Sequence, residues 1–156
     1  MSTYNERMQS IVRDYRASGG RWPATTKDIA AWAIKGKLWE AQPGSIIGQC
    51  ADHLARAMRE EYSTDPQGRR ARARHVAVIY KDGEQLPPCA DIRTAPRKHM
   101  ELAFQQRRQQ IVGDCRHLKA DVDSYNQNAN PGPAIQTVFD FTLDLEELEL
   151  AEGQAA

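Results

Sequence analysis

Gly68-Arg-Arg-Ala-Arg-Ala-Arg-His-Val-Ala-Val-Ile-Tyr80 changes character halfway along. In an extended chain, alternate residues share a face. Arg70, Arg72, Arg74, Val76, Val78 and Tyr80 therefore form one row, cationic at 70–74 and apolar at 76–80. That pattern predicts a strand that leaves a core and projects into solvent. Two turn signals flank it. Asp65-Pro66-Gln67-Gly68 places proline where its fixed φ suits a turn, and Lys81-Asp82-Gly83-Glu84 reads as a two-residue hairpin. Either can be the tip of the hairpin. Pro87-Pro88 cannot donate to a ladder, so the return strand is short, bulged or at an edge.

Upstream lie three helical stretches. Thr3 and Glu6 form a capping box, followed by Tyr4, Met8, Ile11, Val12 and Tyr15 at helical spacing until Gly19-Gly20. Thr25 caps a second helix through Ile29, Ala30, Trp32 and Ala33, ending near Gly36. Pro43-Gly44-Ser45 opens a third, over 45–62. Its apolar face is Ile47, Cys50, Ala51, Leu54, Met58 and Tyr62, and its polar face is Gln49, Asp52, His53, Arg56, Arg59 and Glu60.

Downstream, Thr94 and Pro96 start a helix that runs to about Gln127, about 48 Å at 1.5 Å per residue. Phe104, Arg108, Ile111, Cys115, Leu118, Val122 and Tyr125 recur at alternating steps of four and three, a heptad seam with one arginine in it. A self-paired seam would make a homodimer. Asn126–Pro133 is a loop or linker. The segment Ile135–Leu150 has two readings. Phe139, Phe141, Leu143 and Leu145 alternate like a strand, while Asp144 with Glu147 suits the start of a short acidic helix.

The 156 residues carry 21 Lys and Arg against 21 Asp and Glu. The neutrality hides a gradient: residues 67–119 hold twelve basic and five acidic side chains, and residues 120–156 hold eight acids and no base. A basic middle points to a polyanion partner. The plainer reading is a solvated surface whose two ends attract. No apolar run is long enough to span a bilayer, and Met1–Ser10 lacks the apolar stretch of a secretion signal. Cys50, Cys89 and Cys115 are too few for a disulfide framework, which suggests a reducing, cytoplasmic setting.

Three short helices followed by an arginine-rich hairpin resemble, in element order over residues 4–92, the winged helix-turn-helix superfamily. The resemblance implies a mainly α fold with a small β-hairpin and binding to double-stranded DNA as a transcriptional regulator. It makes 26–35 the second helix of the motif and 45–62 the recognition helix, and it puts the wing within 69–86. Gln49, His53, Arg56 and Arg59 then face the major groove, where Arg can read guanine and Gln adenine. Arg69, Arg70, Arg72 and Arg74 meet phosphates or a minor groove. The division is 1–93 for this domain, 94–128 for the long helix and 129–156 for linker and acidic tail. The Pro87-Pro88 pair is awkward in a wing strand, and Asp52 and Glu60 suit a plain amphipathic helix.

Catalytic chemistry is sparse. There is no Gly-x-x-x-x-Gly-Lys-Ser/Thr and no Gly-x-Gly-x-x-Gly. Cys50/His53 and Cys115/His117 miss the spacing of a zinc site, and Cys50 and Cys115 read as small buried hydrophobes. His75, opposite the arginines, reads as structural or solvated. Neither an enzyme nor a cofactor nor a metal is expected. Gln136-Thr-Val-Phe139-Asp-Phe141 is similar to the Gln-x-x-aliphatic-x-Phe peptides that bind bacterial sliding clamps, with Phe139 in place of the usual Leu or Met. With Leu145 these residues make the tail a candidate docking peptide, and the chain a candidate protein–protein adaptor.

Overall fold

The computed structural model describes residues 2–155 and is mainly helical. Contacts divide the chain into two compact units, Met1–Arg56 and Ala57–Ala156. This places the strands with the long helix, whereas the sequence reading groups them with the first three helices, up to residue 93.

In the first unit, α1 (Tyr4–Ala17) and α2 (Thr26–Lys35) pack on each other. Both begin with reciprocal capping boxes, Thr3–Glu6 and Thr25–Asp28. Between them Ile11, Tyr15 and Ala33 are buried. The Tyr15 ring meets Trp32 edge-on, centroids 5.5 Å apart. Gly20 crosses that ring so closely that a Cβ there would lie 2.6 Å from it. An apolar groove of about 550 Å³ stays open beside this pair, lined by Tyr4, Met8, Val12, Ala30, Ile34 and Trp39.

After a 3₁₀ turn at Pro43–Ser45, α3 spans Ile46–Glu60. It is the most strongly amphipathic stretch of the chain by sequence, yet it has no buried residue: Ile47 is 84% exposed and Leu54 57%. Cys50 is exposed as well, against the reading of a buried hydrophobe. Tyr62, assigned by its spacing to the apolar face of α3, lies beyond the helix in a strand.

The second unit holds six three-residue strands in three antiparallel pairs. β1 (Tyr62–Thr64) pairs with β2 (Arg70–Arg72), β3 (Arg74–Val76) with β6 (Cys89–Asp91), and β4 (Ile79–Lys81) with β5 (Glu84–Leu86). Both turns proposed from sequence are hairpin tips. Gly68 takes φ +84° in the first, and Asp82 and Gly83 take φ +52° and +79° in the second, the conformations a two-residue hairpin requires.

The run 70–80 is not one strand, and its buried parity is the opposite of that expected. Ala73, His75 and Ala77 are buried, while Val76 is 45% exposed. The small alanines explain this, because they let a helix approach the backbone. That helix is α4 (Arg97–Asn128), 32 residues long, whose buried residue is Ala103. His99 Nε2 donates to the His75 carbonyl at 2.8 Å. Gln106 Nε2 donates to the Val78 carbonyl at 2.8 Å, and Gln106 Oε1 accepts from the Val78 N–H at 2.7 Å. Residues 99, 103 and 106 share one helix face. The proline pair limits the β3–β6 ladder: Pro88 accepts a bond from the Ala77 N–H but has no N–H to return to the Ala77 carbonyl. One residue on, the Gln106 carboxamide satisfies both backbone groups of Val78.

In the last turn of α4, Asn126 grips Ile135 in the same manner, accepting from its N–H at 2.9 Å and donating to its carbonyl at 2.8 Å. The tail ends in α5 (Thr142–Gln154), so the helical alternative holds there. Residues 133–141 are irregular.

Candidate nucleic-acid interface

On α3, Gln49, His53, Arg56 and Arg59 are all exposed. Positions 49, 53 and 56 follow helical spacing along one face. The Gln49 carboxamide donates to Ser45 Oγ at 3.1 Å. Asp52 and Glu60 are exposed on the same helix and would repel a phosphate chain.

The four strand arginines divide into two kinds. Arg69 is tied to the turn: its backbone N–H donates to Asp65 Oδ1 at 2.8 Å and its Nε to Asp65 Oδ2 at 2.7 Å. These donors, with the Gln67 N–H, hold the Asp65 carboxyl below its ordinary pKa. Arg74 is paired with Glu61. Arg70 and Arg72 have no acidic partner among the described residues. The Arg70 guanidinium lies over the Tyr62 ring, 4.5 Å from its centroid, a cation–π contact. Arg72 is half-buried, and its Nε has no hydrogen-bond partner among the described residues.

Register explains how these side chains meet. Tyr62 opposes Arg72 and Thr64 opposes Arg70, so all four share one face of the hairpin. Ser63 and Ala71 occupy the other face and are half-buried, whereas Tyr62, Thr64 and Arg70 are exposed. Arg93 braces the ribbon, its Nη2 donating to the Thr64 carbonyl at 3.2 Å. Sequence reasoning missed Tyr62, Thr64 and Arg93. The Asp65–Gly68 turn was the available signal, since a hairpin centred there puts residue 62 across from residue 72.

Next to the ribbon, His75 is structural. Its Nε2 donates to the Arg72 carbonyl at 3.1 Å and its ring meets Phe104 edge-on at 5.2 Å. Burial pushes its pKa below the ordinary histidine value, and the charges of Arg107, Arg72 and His99 add to that.

The predicted dimer seam on α4 is largely open. Phe104, Arg108, Ile111, Leu118 and Tyr125 are exposed, and Cys115 and Val122 are half-buried. Of the predicted docking residues, Gln136, Phe141 and Leu145 are exposed, while Phe139 is half-buried with its ring edge-on to Phe141 at 6.4 Å. Among the described residues no cluster of His, Cys, Asp or Glu could hold a metal ion, and no helix is long and apolar enough to cross a membrane. Comparison with protein families, curated proteins and solved structures finds no match.

Proposed function

We propose that the protein binds double-stranded DNA and acts as a regulator of transcription, paired through α4 with a second copy. One observation carries this reading. The outward face of the β1–β2 hairpin carries Arg70, exposed, and Arg72, half-buried, neither with an acidic partner among the described residues, while Asp65 and Glu61 are already occupied by Arg69 and Arg74. Such a face retains its positive potential for an incoming polyanion. The excess of basic residues over 67–119 acts in the same direction. The exposed seam from Phe104 to Tyr125 would give the dimer its contact, and Arg108 within it would fix the register at some cost in stability.

Fluorescence anisotropy with a mixed-sequence duplex of 30 base pairs, titrated from 50 to 300 mM salt, tests the proposal. Binding that weakens steeply with salt supports it. The absence of binding at 50 mM salt rejects it.

A second reading rests on a different observation. Helix α5 exposes Leu143, Leu145, Leu148 and Leu150 and carries acids but no base. An adaptor that docks this helix on a partner protein would use that surface, and pull-down by residues 134–154 with no DNA binding would favour it.

A further inference from the structure

We infer that the β1–β2 ribbon, rather than α3, reads base sequence, with Arg70 and Thr64 as its specificity-determining residues. The inference rests on the DNA-binding reading and goes further by naming the element that enters the groove. A major groove admits a two-stranded antiparallel ribbon as readily as a helix. The β1–β2 hairpin is such a ribbon and has a suitable outward face. Its small side, Ser63 and Ala71, is half-buried, and its exposed side carries Tyr62, Thr64 and Arg70. Arg72, two residues on, is half-buried, which leaves Arg70 as the arginine of this strand that is exposed to the groove.

Chemistry and rigidity agree with this geometry. Arg70 offers the planar fork that pairs with guanine, and Thr64 offers a hydroxyl for a base edge and a methyl for thymine. The Tyr62 ring under the Arg70 guanidinium limits the directions that side chain can take. At the tip, Asp65 accepts from the backbone of Gln67 and Arg69 and from the Arg69 side chain, so the loop is set before DNA arrives. Preorganised groups lose less freedom on binding. Helix α3 offers less. Its Gln49 already donates to Ser45, and Asp52 and Glu60 accompany its two arginines.

The test uses the full chain. A duplex is enriched by selection from a random 30-base-pair library, and the affinity ratio of that duplex to a scrambled one is measured at fixed salt. R70K retains the charge and loses the fork. T64A removes the hydroxyl. Q49A and R56A test the helix. Circular dichroism melting checks that each variant folds. The expected result is a fall in the ratio of about 10-fold or more for R70K and several-fold for T64A, with an unchanged ratio for Q49A and R56A. A ratio that falls with Q49A or R56A and survives R70K and T64A overturns the inference and leaves DNA binding standing. Binding without any enriched sequence also overturns it, because the ribbon would then touch only the backbone. Absence of binding to every duplex overturns the functional reading as well.

Discussion

Gln106 and Val78 form a pair of ladder-type hydrogen bonds in which a side chain replaces a strand. The carboxamide both accepts from and donates to the Val78 backbone. It holds α4 against the chain where Pro87-Pro88 interrupts the sheet. Deleting it leaves two part-buried backbone groups without partners, each worth about 1–3 kcal/mol when fully desolvated. We expect Q106A to lower stability by roughly 2–4 kcal/mol, read as a lower urea midpoint with an unchanged slope. Q106E keeps the acceptor and loses the donor, and should be destabilised too. A midpoint unmoved in both variants would show that water replaces the carboxamide freely.

His75 makes stability depend on pH. Its folded pKa is lowered, chiefly by burial, so the unfolded chain binds a proton more readily than the folded one. Its contribution is complete above about pH 6.5 and is lost as pH falls from there through the lowered folded value. Thermal melts from pH 8 to 5 should show a decline below pH 6.5 that flattens in H75Q. An equal decline in both proteins would assign the effect to another group.

The division among the arginines predicts unequal effects on DNA binding. Replacing Arg70 and Arg72 together with Ala should reduce the salt slope by about 0.9 for each phosphate no longer neutralised. Replacing Arg69 and Arg74 should change it less, since each already has an acid beside it. Equal slopes from the two double variants would contradict this division.

The α4 seam predicts a dimer. Light scattering at tens of micromolar should report two copies, and I111D with L118D should give one. A wild-type monomer at that concentration would reject the seam as an interface.

The acidic tail competes with phosphates. Cutting the chain after Asn130 removes Asp140 and every acid of α5 and should strengthen binding to nonspecific duplex. It also removes Ile135, the partner of Asn126. If affinity and solubility are both unchanged, the tail plays no part in this surface and the adaptor reading gains.

Legibility in the sequence follows locality. The capping boxes at Thr3 and Thr25, the turns at Asp65 and Asp82, and the span of α4 are set by neighbours within four residues, and each is readable. The parity of 70–80 misleads because branched and aromatic residues at 76–80 suggest a core face. The packed face is Ala73, His75 and Ala77, chosen by how near α4 can come. Nothing close in sequence says that Gln106 lies 28 residues from its partner. The site obeys the same rule. Four arginines are visible as a group, but the neutralisation of Arg69 and Arg74 depends on Asp65 and Glu61. Of these, Asp65 is within reach of the turn pattern, whereas Glu61 becomes relevant only once the ribbon register is known.

The two carboxamide grips also set how the sequence can drift. Gln106 and Asn126 hold main-chain atoms of Val78 and Ile135, atoms that nearly every amino acid possesses. Positions 78 and 135 can therefore accept most substitutions other than proline, which lacks the N–H. Positions 106 and 126 need a side chain that donates and accepts at once, which few residues provide. A library covering all four sites should return two tolerant positions and two narrow ones. The narrow ones would be polar residues on a helix, where variation is ordinarily cheapest.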